Sequence, residues 1–375
     1  MPINTCILGY GLSARTFQIP YIQLLPQFHL HSILQRTPTA DNNAAQDHPG
    51  VKVYNNINDV CADPEIQLVI VSVANSVHYS ITKQLLEAGK DVVVEKPFTV
   101  KAEEADELCQ LAREKNHVLT VFQNRRWDAD FLTLQTLLSQ KKLGEIVSLE
   151  SHFDRYKSPS SRKESWKTAP QPGNGVLFDL GAHLVDQVLT LFGLPDRIYG
   201  NVRDERGNSQ DLDAKPGQEG FIDDAFDAVL YYDKPLDSSK GGIVIPKRGM
   251  VVKVSASQTS LCEKQVRFIV RGTEAGWVKY GLDLQEDQTK AGVRVEDQAF
   301  GRETEEMWGI LTRPEGSEKV ESKRGFYRGF FENLATAIEE GREKLKVKPE
   351  EAADVVRVLE AVVRSEVEGR VVALK

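Results

Sequence analysis

Three polar side chains stand inside one apolar run. They are Asp179, His183 and Asp186, within Gly173-Asn174-Gly175-Val176-Leu177-Phe178-Asp179-Leu180-Gly181-Ala182-His183-Leu184-Val185-Asp186. A spacing of i, i+4 and i+7 puts all three on one face of a helix. A carboxylate and an imidazole among Leu, Val and Phe cost free energy unless they are paired or used. Two chemistries suit the spacing: metal ligation, or an acid/base pair in which Asp179 orients His183. A zinc site wants three or four ligands, commonly with more His or Cys. The four cysteines here (Cys6, Cys61, Cys109, Cys262) are far apart and form no C-x-x-C.

A second group of residues opens the chain. Ile3–Leu8 is a short apolar strand, followed by the G-x-G-x-x-A turn Gly9-Tyr10-Gly11-Leu12-Ser13-Ala14. Gly9 and Gly11 let the backbone turn tightly and approach a pyrophosphate. Ala14 lets the next helix sit close to the strand. The N–H groups of Leu12 and Ser13 at that helix start can then bind phosphate. The motif alone is weak, but its strand-turn-helix context is the one it needs. After the next strand, roughly His29–Leu34, an NAD site would carry an acidic residue for the ribose 2′-hydroxyl. No Asp or Glu follows before Asp41, and Gln35-Arg36-Thr37 stands there instead. Arg36 suits a 2′-phosphate, so NADP is expected in preference to NAD.

These residues need a scaffold, and the strands supply one. Gln67–Val73, Asp91–Val94 and His117–Phe122 are apolar and alternate with helical segments Val77–Ala88 and Lys101–Lys115. Continuously apolar strands between helices predict a parallel sheet covered on both faces, with ligands at the carboxyl ends of the strands. Asn75 and His78 fall there, as does Glu95-Lys96-Pro97 directly after Val92-Val93-Val94. A lysine at that place can hydrogen-bond a substrate hydroxyl and favour its loss of a proton. Beyond residue 124, Glu145–Arg155 alternates like a one-sided strand. Ile198–Arg203, Ala225–Tyr232, Gly249–Ser257, Gln265–Val270 and Gly276–Tyr280 read as sequential, hairpin-like strands. Arg324–Gly341 and Glu350–Val367 are amphipathic helices, and Gly369–Leu374 could return as a final strand.

The expected architecture is an α/β Rossmann fold with a parallel sheet over residues 1–124. An α+β domain for substrate binding and oligomerisation, with a large, mostly antiparallel open sheet, follows over 125–375, its C-terminal helices 324–341 and 350–367 packing back. At 375 residues two domains are the default. Segments 204–220 and 234–249 read as insertions without an assigned role. A net charge of −8 argues against nucleic acid and anionic membranes as partners. No window nears the roughly 18 apolar residues of a spanning helix. The chain enters its first strand without a signal-like segment, and its cysteines read as reduced thiols, so a cytoplasmic location is expected.

The ordered set Gly9-Tyr10-Gly11-Leu12-Ser13-Ala14, Glu95-Lys96-Pro97 and Asp179-x-x-x-His183 resembles the Gfo/Idh/MocA family, that of glucose–fructose oxidoreductase and inositol dehydrogenase. Gln123-Asn124-Arg125-Arg126-Trp127-Asp128 and Lys279-Tyr280-Gly281-Leu282-Asp283 with Gln285-Glu286 resemble its subgroup containing NADP-dependent scyllo-inositol dehydrogenases. The resemblance implies hydride transfer between NADP and a secondary alcohol of a small-molecule polyol or sugar. It implies His183 as general base with Asp179 orienting it, and Lys96 on the same oxygen. It puts Asn124, Arg125 and Arg126 beside the cofactor, along with Glu95, Lys96 and Pro97. Arg155 and Tyr156 fall near the expected substrate cleft. Trp166 either lies against the nicotinamide or packs the domain junction. A homodimer or homotetramer through the second domain's sheet is expected.

Two other readings compete. One is a non-catalytic sensor of NADP or sugar, whose mark would be loss of the lysine or histidine, and both are present. The other is a metal-dependent hydrolase or lyase on Asp179, His183 and Asp186, which leaves the glycine turn and Lys96 unexplained. On the dehydrogenase reading Asp186 loses its claim as a ligand and becomes a carboxylate that supports the structure behind the site.

Overall fold

A computed structural model describes residues 1–158, 168–211, 213–234 and 243–374. Packing divides the chain into two compact units. The first holds Met1–Asn124, Glu286–Glu296 and Tyr327–Ala353, and the second holds Arg125–Gln285, Asp297–Phe326 and Asp354–Lys375. The first unit's opening segment ends at Asn124, and Glu286–Glu296 and Tyr327–Ala353 return to it later in the chain.

The first unit is a six-stranded parallel sheet. Its strands are β1 (Ile3–Leu8), β2 (Phe28–Leu34), β3 (Lys52–Tyr54), β4 (Leu68–Val71), β5 (Asp91–Val94) and β6 (Leu119–Val121). They lie in the order β3-β2-β1-β4-β5-β6. This is the doubly wound dinucleotide-binding order, with its reversal between β1 and β4. The apolar runs of β4 and β5 are buried because helices cover both faces. Glu103 and Glu104 open the helix Ala102–Lys115, while Arg113 and Lys115 close it, which matches its dipole. Asn116 then ends it in the left-handed conformation. The helix Arg328–Glu340 joins this unit through rings: Phe331 stacks on Tyr21 at 5.3 Å, and Phe330 meets Phe122 edge-on at 4.9 Å.

The second unit carries a nine-stranded sheet: β7 (Ile146–His152), β8 (Arg197–Arg203), β9 (Ala225–Tyr232), β10 (Met250–Ser257), β11 (Val266–Gly272), β12 (Gly276–Tyr280), β13 (Gly309–Arg313), β14 (Gly316–Val320) and β15 (Val372–Ala373). The order is β14-β13-β12-β11-β7-β10-β9-β8-β15. The sheet is mostly antiparallel, but its strands are not all sequential neighbours. β7 lies between β10 and β11, parallel to β10. Burial alternates along β8, β9 and β10, so one face is covered and the other is open. The helix Ala182–Phe192 packs on the covered face with Phe226, Leu230, Val252 and Val254 in one core.

Candidate active site

All six strands of the first unit run the same way, so their carboxyl ends share one edge. Gly9 follows β1, Arg36 follows β2 by two residues, Asn75 follows β4, Glu95-Lys96-Pro97 follow β5, and Asn124 follows β6. The topology therefore collects the first unit's sequence candidates along a single line.

Gly9 has φ +102°, and a Cβ there would lie 2.1 Å from the Ser72 carbonyl oxygen. Only glycine fits. Gly11 differs, because a Cβ there would meet nothing within 4 Å and would enter open space above the turn. The helix behind begins at Leu12 and passes through a π-helical turn, Ala14–Gln18, with Ala14 buried. The first N–H groups of a helix have no intrahelical acceptor. Open space over Gly11 with such N–H groups beside it fits a pyrophosphate. Arg36 is exposed, and among the described residues it makes no hydrogen bond or ion pair. Gln35 beside it is committed to the Asn42 carbonyl and the Ala44 N–H, both at 2.8 Å. The end of β2 thus offers a guanidinium and no carboxylate.

Around Lys96 the backbone is pinned. The Glu95 carboxylate accepts from the Ser13 hydroxyl and, at 2.8 Å, from the Gln18 amide. Glu95 and Ser13, both cofactor candidates by sequence, therefore meet each other. His78, a third, is fully buried, with Nδ1 2.8 Å from the Pro97 carbonyl and Nε2 3.3 Å from that of Val73. Burial pushes its pKa below the ordinary imidazole value, against the pull of those carbonyls. Lys96 is the only residue from 92 to 99 that is not buried.

In the second unit the run that carries Asp179 and His183 is helical, and its first turn, Leu177–Gly181, is π-helical. Such turns recur at functional sites. The helix start is held by Asp223, whose carboxylate accepts the Leu177 N–H at 2.6 Å while its carbonyl accepts that of Val176. Gly175 has φ +96°, and its Cβ would stand 2.2 Å from Asp223 Oδ1, so the glycine makes room for the carboxylate. Burial raises the Asp223 pKa to about 7, against those N–H donors. Asp179 is half-buried and His183 is buried.

Asp186 is 1% exposed and forks onto Arg126, with Nε to Oδ2 at 2.8 Å and Nη2 to Oδ1 at 2.6 Å. The next residue, Gln187, donates to the Arg125 carbonyl at 2.7 Å and accepts from Arg267. Arg267 in turn is buried against Asp130 and Ser151. Asp283 accepts the Ala129 N–H at 2.7 Å, and Gln285 donates to the Trp127 carbonyl. The stretches around 124 and 280, which resemble one subgroup, thus act together physically, because both brace one turn. Arg125 and Arg155 lie over the Phe153 ring, at 4.8 and 5.0 Å from its centroid. Tyr156 is exposed, and Trp166 lies outside the described residues. The Asp130, Gln187 and Arg267 network was missed by sequence reasoning. A charged residue in each of two apolar stretches was the only signal for it.

Asp179, His183 and Asp186 do not gather three ligand atoms. Among the described residues the one trio able to gather ligand atoms within 4.8 Å is His31, Asp63 and Glu65, not Asp179, His183 and Asp186. Asp63 is itself bonded to Tyr54 and Lys52. Asp186 is taken by a guanidinium, which a cation would have to displace.

Both units are similar to known proteins. Residues 3–123 match the NAD-binding Rossmann fold of the Gfo/Idh/MocA oxidoreductase family, and residues 135–374 match its C-terminal alpha/beta domain. An uncharacterized oxidoreductase from Schizosaccharomyces pombe is 35% identical, over 97% of both chains. The scyllo-inositol 2-dehydrogenase (NADP(+)) IolW of Bacillus subtilis is 33% identical, over 100% of this chain and 96% of its own. The crystal structure of an oxidoreductase from Bacillus cereus superposes with a TM-score of 0.81 at 29% identity, covering 96% of this chain and 97% of that one. With a Rossmann unit and an α/β unit both matched in order, the chain belongs to the Gfo/Idh/MocA family of oxidoreductases.

Proposed function

We propose that the protein transfers a hydride between NADP and a secondary alcohol or ketone of a cyclic polyol or sugar. The observation that carries the cofactor preference is the end of β2, where an exposed Arg36 stands in place of a carboxylate. The full-length likeness to IolW supports it and suggests inositols among the substrates. Gly9, Gly11, Leu12, Ser13 and Ala14 would hold the pyrophosphate, and Arg36 the 2′-phosphate. When bound, the nicotinamide supplies the hydride acceptor or donor.

The chain's own residues handle the proton. His183 takes it from the substrate hydroxyl during oxidation and returns it during reduction, while Asp179 orients the ring. Lys96 donates a hydrogen bond to the same oxygen and stabilises developing alkoxide. Arg155 and Tyr156 help to hold the remaining hydroxyls. This reading requires Lys96 and His183 to serve one substrate oxygen.

The open face of the second unit's sheet exposes Tyr199, Tyr280 and Ile310 by 42%, 41% and 39%. We take this face to pair copies of the chain into a homodimer or homotetramer. Light scattering that gave only a 42.0 kDa species would remove that part. The four free thiols fit a reducing compartment such as the cytoplasm.

The test of function is an absorbance screen with NADP(H) and NAD(H) in parallel over inositols, aldoses and ketoses. Turnover with preference for NADP is expected. Preference for NAD would refute the Arg36 assignment. Tight NADPH binding with no turnover across the panel would favour the sensor instead.

A further inference from the structure

We propose that His78 is a positioning residue for Lys96, acting through the Pro97 carbonyl. The inference rests on the reading of Lys96 given above, but its geometry belongs wholly to the first unit. The β4 and β5 ladder ends with the Glu95 N–H donating to the Val71 carbonyl. Past that point the two chains diverge into separate loops, Ser72–Ser76 and Glu95–Thr99. Pro97 brings no N–H of its own to tie them. His78, the first residue of the helix His78–Glu87, fills the gap. Its ring stands between the Pro97 carbonyl at 2.8 Å and the Val73 carbonyl at 3.3 Å.

A neutral imidazole has one N–H. The shorter contact assigns it to Nδ1, donating to Pro97. On the other side of Lys96, Glu95 is held by Ser13 and Gln18. Both neighbours of Lys96 are therefore anchored, and Lys96 alone in the stretch is left partly exposed. Val73 also flanks the glycine turn, since its Cγ1 lies 3.3 Å from where a Gly9 Cβ would stand. One buried ring thus packs beside the loop next to the cofactor turn and bonds to the loop that presents the lysine. A misplacement of about 1 Å at a reacting group can cost a hundredfold in rate, so a fixed backbone at residue 97 bears directly on the function of Lys96.

The test compares His78→Asn with His78→Gln. The asparagine amide falls near Nδ1 and can keep the bond to Pro97, whereas the glutamine amide falls near Nε2 and cannot keep it. Both replacements are polar and smaller than the ring, and the thermal midpoints of the two separate a loss of packing from a loss of positioning. On the substrate that wild type turns over fastest, His78→Gln should lose kcat by at least tenfold, and His78→Asn should stay within about threefold. NADPH affinity, read by fluorescence titration, should stay within about twofold in both. Crystal structures of the two variants give a readout independent of activity: the Lys96–Pro97 backbone should shift in His78→Gln and hold in His78→Asn. Equal kcat in the two variants, an unmoved Lys96 in His78→Gln, or a matching fall in NADPH affinity would overturn the proposal. If wild type itself turned over nothing, the reading of function would fail, while the crystallographic comparison would still decide the role of His78.

Discussion

Asp186 holds Arg126 by two parallel hydrogen bonds, 2.8 Å from Nε and 2.6 Å from Nη2, with both side chains buried. The partners are sixty residues apart in sequence. The pair answers what the third member of the Asp179, His183, Asp186 series does. Its carboxylate is engaged by a guanidinium. It ties the helix of His183 to the turn Asn124–Trp127. Removing one partner strands a buried charge, whereas removing both does not. Asp186→Asn should lower the unfolding free energy by about 3–5 kcal/mol, and Asp186→Leu with Arg126→Met should recover most of it. Denaturant titration of the three proteins checks this, and a double variant as weak as the single would contradict it.

The two turn glycines should separate folding from binding. Gly9→Ala sets a Cβ against the Ser72 carbonyl at a positive φ, so it should destabilise the first unit and lower the thermal midpoint. Gly11→Ala meets only open space and should melt like wild type. Its methyl group would occupy the room a pyrophosphate needs, so NADPH affinity should fall at least tenfold, about 1.4 kcal/mol. A Gly11→Ala protein with unchanged NADPH binding would show that the turn does not hold the phosphates.

Arg36 makes a cleaner separation still. A hydrogen-bonded charge pair contributes about 1.5–3 kcal/mol. Arg36→Ala should therefore weaken NADPH by roughly ten- to a hundredfold and leave NADH within about twofold. An equal loss for both would assign Arg36 to something common to the two cofactors.

Asp223 gives a pH signature. Burial raises its pKa in the folded protein from 3.8 to about 7. Between those values the folded chain keeps a proton that the unfolded chain has lost. This contribution to stability is therefore full below pH 3.8 and is lost as pH rises through about 7. Asp223→Asn keeps an oxygen for the Leu177 N–H and removes the titration. The variant's stability relative to wild type should rise between roughly pH 4 and pH 7 and level off above. A difference that does not change with pH in paired denaturation curves would remove Asp223 as the source.

Local pattern made the first unit legible. Its apolar strands, glycine turn and lysine after β5 announce themselves within short windows, and parallel topology then aligns them on one edge. The second unit was legible only in part. β8, β9 and β10 pair with sequence neighbours, so their alternation was enough. β7 pairs with β10 and β11 from about a hundred residues away, and no window contains that choice. β13 and β14 escaped because β14 is exposed along nearly all its length and has no apolar face to read. The same limit applies to the site. Asp179 and His183 stand out by their spacing, but the partners of Asp186, Gln187 and Asp223 come from distant segments, and only packing reveals them.

The mechanism itself predicts a pattern in the rates. Lys96→Ala and His183→Ala should each lower kcat by about 10²–10⁴-fold, the range for loss of a positioned proton-transfer or hydrogen-bonding group. If both serve one oxygen, removing the second should add little, because groups acting as a unit are strongly non-additive. The double variant should then resemble the worse single variant. A loss equal to the product of the two single losses would mean that lysine and histidine act at separate steps, even with each needed for turnover. Intact turnover in either single variant would remove that residue from the mechanism outright. NADPH titration of all three variants separates substrate from cofactor effects. Affinity should stay near wild type if the residues address the substrate oxygen, and it should fall with kcat if Lys96 chiefly holds the cofactor.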